Sequence, residues 1–192
     1  MDTVCVFCGS SDEAGGAYAD AATAFADVLA DRGIRLAYGG GDGGVMGKLA
    51  DAVLAAGGDV IGVIPESIEE RETPHQGLTT LETVDSKADR KARLHDLADG
   101  FVAMPGGIGT QEELFEVLGR AKHGFHGKPC GVLNVAGYYD HLVAFLDHAE
   151  SAGFLSSEQR SLVLVEADPA ALLDACREYT SPVLDDSAMA RD

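Results

Sequence analysis

A chain of 192 residues with 46% hydrophobic content is long enough for one domain with a buried core and too apolar to be disordered. Its net charge of −18, with only 14 lysine and arginine residues, disfavours nucleic acid and anionic membranes as partners. No apolar stretch is as long as a membrane span, and residues 1–11 lack the basic flank of a signal peptide. We therefore expect a soluble, cytoplasmic protein.

Six apolar runs alternate with helical patterns along the chain: TVCVFCG, IRLAYGG, DVIGVIP, GFVAMPG, KPCGVLNV and SLVLVEA. The segment LTTLETV supplies a further predicted strand. Between the first two runs, side chains recur at helical spacing and predict an amphipathic helix: Tyr18, Ala22, Phe25 and Leu29. Near-continuous apolar strands between such helices are typical of a parallel sheet covered on both faces. The sequence therefore predicts one doubly wound, Rossmann-like α/β domain over residues 1–180, with a mainly parallel sheet flanked by helices, and an acidic tail at 181–192.

Three glycine-rich turns follow predicted strands, where ligands bind in folds of this kind. They are CGSS at 8–11, YGGGDGGVMG at 38–47 and PGGIGT at 105–110. The second turn contains G-x-G-x-x-G at Gly39, Gly41 and Gly44, but it follows the second strand, and one such match is a weak sign of a dinucleotide site. A P-loop is excluded because Asp42 and Leu49 stand where glycine and Ser or Thr are required. Glycines here serve either close approach of a ligand or close packing of the next helix.

The third turn leads into a helix that opens with two glutamates. Free backbone N–H groups and the positive end of a helix dipole bind anions, and glycines keep side chains out of the way. We expect Thr110 to cap this helix and to offer its hydroxyl group. Periodicity separates the glutamates, since Glu112 shares a solvated stripe with Glu116 and Arg120. Glu113 falls on the stripe that packs inward, which favours a chemical role for its carboxylate.

Arg90 extends the apolar stripe of the preceding helical pattern. Leu94 and Leu97 follow it at helical spacing, so Arg90 is predicted to be at least half-buried. A buried arginine needs an anionic partner, which is either a ligand or a structural salt bridge. Lys91 lies about a third of a turn away and points either to solvent or to the same ligand.

The cysteines and histidines do not suggest a metal site. Cys5 and Cys8 lie three residues apart in a predicted strand, on opposite faces, and no second pair completes a zinc site. We expect buried, reduced thiols. His123 and His126 lack a third ligand at a suitable spacing and are interpreted as surface or structural residues.

These motifs resemble those of the Lonely Guy family of cytokinin-activating nucleoside 5′-monophosphate phosphoribohydrolases. PGGIGTQEE at 105–113 matches the family motif P-G-G-x-G-T-x-x-E, and DRKA at 89–92 is similar to its second signature. The similarity covers about residues 3–180. The chain departs from the family pattern at 87–89, which read Lys-Ala-Asp instead of Met-His-Glu, and at 119–122, which read Gly-Arg-Ala-Lys instead of Thr-Trp-Ala-Gln. Many relatives carry the label lysine decarboxylase, but nothing in this chain resembles a pyridoxal-phosphate lysine site.

The resemblance implies hydrolysis of the N-glycosidic bond of an N6-modified adenosine 5′-monophosphate to free base and ribose 5-phosphate, with no metal or other cofactor. It implies a homodimer and makes Arg90 and Glu113 the catalytic pair. The expected substrate-binding residues are Ser10, Ser11, Gly41, Glu72, Lys91, Gly106, Gly107, Gly109 and Thr110. Two alternatives stay open. One is a general nucleosidase for AMP and related monophosphates, and the other is a non-catalytic carrier of a phosphate-bearing cofactor, like the molybdenum-cofactor carriers with this fold.

Overall fold

A computed structural model describes residues 1–66 and 73–182 of the chain. Its strands form one sheet in the order β4-β3-β2-β1-β5-β6-β7, and every neighbouring pair is parallel. The strands are β1 (Thr3–Phe7), β2 (Arg35–Tyr38), β3 (Val60–Pro65), β4 (Thr80–Val84), β5 (Gly100–Ala103), β6 (Cys130–Leu133) and β7 (Val163–Glu166). Each strand lies within one of the seven predicted strand segments, which confirms the predicted α/β class and the parallel sheet.

Helices cover both faces of the sheet. They are α1 (Gly16–Asp31), α2 (Gly44–Ala55), α3 (Lys87–Leu97), α4 (Ile108–Lys122), α5 (Asp140–Ser151), α6 (Ser157–Arg160) and α7 (Pro169–Glu178), with a short 3-10 turn at Val135–Gly137. The buried face of α1 contains Ala22, Phe25 and Leu29, as its periodicity predicts. In the described part of the chain, no helix combines the length and the apolar character that crossing a membrane requires.

Two hydrophobic clusters form the core, one on each face of the sheet. Side chains of α1, α2 and α7 make up one cluster, and side chains of α3, α4 and α5 make up the other. Strand β1 contributes side chains to both clusters, because Val4 and Val6 point to the first cluster and Cys5 points to the second. Burial on both faces explains why the inner strands are continuous apolar runs, whereas the edge strand β4 is mostly exposed. Cys8 lies in the first cluster, and all four cysteines are buried free thiols, as predicted.

The order of the strands reverses between β1 and β5. Strand β1 leads to α1 on one face and β5 leads to α4 on the other, so the loops after the two strands diverge and leave a crevice. At the base of the crevice, Gly9 N–H donates to the Pro105 carbonyl at 3.1 Å. A Cβ atom on Gly106 would lie 2.1 Å from Oγ1 of Thr110 and 2.7 Å from the nitrogen of Gly9. The two loops therefore approach each other so closely that position 106 requires glycine.

Packing explains two of the glycines in the turn at 38–47. Gly44 has a φ of +62°, and a Cβ there would lie 2.4 Å from the carbonyl carbon of Ser10. A Cβ on Gly47 would lie 1.7 Å from the carbonyl oxygen of Asp42. At these two positions glycine serves close packing, because it lets α2 approach the neighbouring loops. Of the predicted tail at 181–192, residues 183–192 lie outside the described residues.

Candidate active site

Helices α3 and α4 bring Arg90 and Glu113 together beside the crevice. The Nη2 atom of Arg90 donates to Oε1 of Glu113 at 2.5 Å, although the residues are 23 positions apart in the chain. Only 16% of the Arg90 side chain and 14% of the Glu113 side chain are exposed. The helical stripes therefore predicted correctly that both charged groups turn inward. What they could not predict is that each group is the other's ionic partner.

The ion pair leaves part of the guanidinium group without a partner. The Nε atom of Arg90 is buried and has no hydrogen bond partner in the described residues. An unsatisfied buried donor costs about 1–3 kcal/mol, which a ligand acceptor would relieve. Burial raises the pKa of Glu113 above its ordinary value, and the charge of Arg90 opposes that shift. The site thus holds a desolvated carboxylate beside a guanidinium group whose Nε–H donor has no partner in the described residues.

A cavity of about 250 Å³ opens onto this pair from the carboxyl ends of the central strands. Its wall contains Ser10 from the first glycine-rich turn and the residues from Gly107 to Thr110 from the third. In the described chain, the backbone N–H groups of Gly107, Ile108 and Gly109 have no acceptor. Together with the positive end of the helix dipole, they form an anion site next to Glu113.

The expected cap of α4 is wrong. The residue that caps the helix is Gly107, which makes no side-chain capping bond, and Thr110 is the third helical residue. Thr110 is buried against Gly106, with its hydroxyl oxygen facing that glycine. The helix starts earlier than predicted because Gly107 already has the extended backbone of a capping residue and Ile108 is the first helical residue.

The structure brings only some of the expected binding residues to this cavity. Ser11 lines a neighbouring cavity together with Gly106. Gly41 is buried elsewhere, where its carbonyl accepts a hydrogen bond from the Tyr38 hydroxyl at 3.0 Å. Gly39 lines the cavity instead, and a Cβ there would lie 3.2 Å from Nη1 of Arg90. Glu72 lies outside the described residues.

Lys91 does not line the cavity around the ion pair but an adjoining one between α3 and α4. Its Nζ atom donates to Glu112 and to Glu116, each at 2.6 Å, and these bonds raise the pKa of Lys91. The interpretation of Glu112 and Glu116 as a purely solvated stripe is therefore corrected, because both tie α4 to α3. Partly exposed ion pairs of this kind contribute at most about 1 kcal/mol each to stability.

Two tyrosines that the sequence interpretation did not single out hold the loop after β5. The Tyr138 hydroxyl donates to the carbonyl of Gly106 at 2.7 Å, and the Tyr139 hydroxyl donates to that of Met104 at 2.8 Å. Ala136 has a φ of +50°, an unfavourable value for a residue with a side chain, in the turn that presents both rings. The peptide after Gly106 is planar and trans, so fixing its carbonyl also fixes the opposite direction of the Gly107 N–H.

The fold and the site define an α/β protein with an anion site at a helix N-terminus and an adjoining carboxylate–guanidinium pair. Residues 46–176 match the family described as "Possible lysine decarboxylase". A cytokinin riboside 5′-monophosphate phosphoribohydrolase of Rhodococcoides fascians is 43% identical over 176 residues, covering 91% of this chain and 89% of the relative. One of Arabidopsis thaliana is also 43% identical and covers 92% and 83%. The chain therefore belongs to the Lonely Guy family of phosphoribohydrolases.

Solved structures with the same fold include proteins of a different kind. The molybdenum cofactor binding protein of Rippkaea orientalis superposes with a TM-score of 0.69 at 19% identity, covering 92% of this chain and 96% of that chain. The molybdenum cofactor carrier protein of Chlamydomonas reinhardtii gives 0.69 at 20% identity, with coverage of 93% and 97%. At this level of identity, the likeness concerns the fold alone.

Proposed function

We propose that this protein hydrolyses the N-glycosidic bond of N6-modified adenosine 5′-monophosphates, releasing the free base and ribose 5-phosphate. The observation that carries the proposal is the buried pair of Arg90 and Glu113 beside the free N-terminus of α4. The curated relatives described above are named for this reaction on cytokinin ribosides. Hydrolysis of AMP itself, as by a general nucleosidase, is the nearest alternative.

The 5′-phosphate binds at the N-terminus of α4 in this proposal. The N–H groups of Gly107, Ile108 and Gly109 point away from protein acceptors, and glycine at 107 and 109 removes side chains from the approach. Charged acceptors form the strongest hydrogen bonds with such groups. Because Glu113 follows one helical turn later, a ribose attached to this phosphate lies beside its carboxylate.

Glu113 acts on the ribose in the proposed reaction. The bond between C1′ and N9 breaks, and its electron pair leaves with the purine, so positive charge develops on the ribose. The desolvated carboxylate of Glu113 stabilises this charge and orients the water whose oxygen bonds to C1′. A proton from that water ends on the departing base. Every atom is accounted for without a cofactor.

Arg90 acts on the departing base. Negative charge develops on the purine as the glycosidic bond breaks, and a guanidinium with unused donors can offset it. The existing bond to Glu113 holds the planar group in place before substrate binds. Preorganised charges of this kind are worth more in a water-poor site than in solvent.

We also propose a cytoplasmic homodimer. Large apolar side chains lie exposed on α4, with Ile108 at 88% and Phe115 at 43% exposure, and Phe145 of α5 is exposed as well. Association of two copies would cover such side chains, which singly are common on protein surfaces. Four free, buried thiols fit a reducing compartment.

The first test of the function is the release of free base from AMP, isopentenyl-AMP and the matching nucleosides. We expect kcat/KM for the monophosphates to exceed that for the nucleosides by roughly a hundredfold or more, because charge-assisted hydrogen bonds to the phosphate are lost. Triphosphates should also be poor substrates, since the loop receives one terminal phosphate. Chromatography of the released base measures all of these rates. Comparable turnover of AMP and adenosine would remove the anion site from the proposal.

Tyr138→Phe tests how the phosphate loop is held. We expect KM for AMP to rise about fivefold with little change in kcat, because the lost hydrogen bond no longer fixes the peptide between Gly106 and Gly107. Tyr18→Phe is the matched control, since its ring contacts Tyr138 edge-on and no hydrogen bond of its hydroxyl is found in the described chain. A lower melting temperature with unchanged KM would mean that Tyr138 serves stability only.

A further inference from the structure

The cavity that Lys91 lines, between α3 and α4, adjoins the cavity around the ion pair, and we call it the second cavity. Its volume is about 420 Å³, and it shares Phe7 and Glu113 with the cavity that surrounds the ion pair. Its inner wall is apolar, with Phe7 stacked on Phe101 at 6.0 Å between ring centres. Val117 and Leu94 complete this wall from the two helices. The cavity is therefore a continuation of the active site that suits an apolar group.

The order of residues along α4 tells which part of a nucleotide reaches this cavity. The anion site is at the start of the helix, Glu113 follows one turn later, and Arg120, which lines the second cavity, lies near the end of the helix. Arg120 is seven residues beyond Glu113, or about 10 Å along the axis at 1.5 Å per residue. A nucleotide with its phosphate on the helix N-terminus and its ribose at Glu113 thus directs its base, and a group on N6, towards Arg120.

Three lysine or arginine side chains and three glutamates line the second cavity: Lys87, Lys91 and Arg120, and Glu112, Glu113 and Glu116. Lys91 pairs with both Glu112 and Glu116, whereas Lys87 and Arg120 have no ionic partner in the described residues. Lys87 and Arg120 are both exposed, so their charged groups are available to a ligand in the cavity. Three of the positions where the chain departs from the family pattern line this cavity: Lys87, Ala88 and Arg120.

We propose that the cavity between α3 and α4 receives the N6 substituent of the base and that Arg120, assisted by Lys87, selects substituents that end in an anionic group. This inference rests on the proposed function. A short carbon chain would pack on Phe101 and Val117, and a terminal carboxylate would pair with the guanidinium of Arg120. His95, whose Nε2 is buried without a partner in the described chain, offers one further hydrogen bond inside the cavity.

The test compares two synthetic nucleotides that differ only in charge. One is AMP carrying a carboxypropyl group on N6, and the other is its neutral carboxamide. We expect kcat/KM for the carboxylate to exceed that for the carboxamide by about fivefold at low ionic strength, as for an ion pair near a protein surface. The preference should shrink as salt is added. In Arg120→Met, which keeps the aliphatic bulk, the ratio should fall to about one.

Arg177→Met is the matched control, because Arg177 is exposed on α7, across the sheet from the cavity, and should keep the preference. Calorimetric binding of both nucleotides to the wild type and to Arg120→Met is measured in parallel. A binding preference that Arg120→Met removes supports the inference even if no base is released, in which case only the proposed hydrolysis fails. Equal affinity for the two nucleotides, or a preference that survives in Arg120→Met, overturns the inference even if both are hydrolysed.

Discussion

Replacing Glu113 with glutamine is expected to lower kcat by roughly a hundredfold or more, the scale of removing one preorganised electrostatic group. Glutamine has nearly the same shape, so packing and the anion site should persist while the negative charge disappears. If the carboxylate stabilises charge that develops on the ribose, the loss falls on the transition state and not on ground-state binding. The dissociation constant for AMP should change little, or decrease, because repulsion between the carboxylate and the phosphate is relieved. A free-base assay and calorimetric binding measure the two effects separately.

Glu178→Gln is the control for this substitution. Glu178 is exposed at the end of α7, across the sheet from the site, and its variant should match the wild type in both measurements. Glu112 is not suitable, because it bonds to Lys91. Two results would exclude the hydrolase mechanism. The first is equal activity of Glu113→Gln and wild type. The second is binding of AMP with no release of base by any of the proteins, the wild type included. The second result would favour a carrier, which needs the glycine loop but no inward carboxylate.

Arg90→Ala is expected to lower kcat/KM by about a thousandfold, because the departing base loses its charge partner and Glu113 loses its anchor. We expect the protein to stay folded, since Glu113 can take up a proton when its cation is removed. The charge of Arg90 holds the pKa of Glu113 down against burial, so the pKa rises further in this variant. Melting temperature, measured beside activity, separates the loss of chemistry from the loss of structure.

Arg90→Lys is the companion variant. It keeps the positive charge but not the planar group with several donors, so we expect it to restore little of the activity. Full activity in Arg90→Lys would show that charge alone suffices. Unfolding of Arg90→Ala, together with a folded but inactive Arg90→Lys, would assign the pair a structural role as well as a chemical one.

The pH profile of the wild type follows from the same pair. Glu113 must be ionised to stabilise the ribose, and burial raises its pKa above the ordinary value of about 4.3. The acid limb of kcat/KM should therefore lie above that value, with activity lost as the pH falls through it. In Arg90→Ala, any residual activity should have its acid limb at a higher pH than the wild type, because the cation that lowers the pKa of Glu113 is lost. In Arg90→Lys this shift of the acid limb should be smaller, because a positive charge remains.

Local pattern was sufficient for the fold class and for the catalytic candidates. The inner strands β1, β2, β3, β5 and β6 are short apolar runs, and such runs form strands where both faces of the sheet are covered. Helical periodicity alone turned Arg90 and Glu113 inward, because the residues that share their stripes are apolar. These features depend on spacing along one element, which a sequence contains in full.

Contacts between different helices, strands and loops could be identified only from the tertiary structure. Periodicity cannot tell that Lys91 bonds to Glu112, because the two lie on helices whose relative placement depends on the packed core. It cannot tell that Gly39 rather than Gly41 faces Arg90, since neighbouring glycines in a turn have no side-chain pattern. The contact of Tyr138 with Gly106 joins positions 32 residues apart. The sequence by itself determined which groups turn inward, and only the folding of separate elements against one sheet decided which of those groups meet.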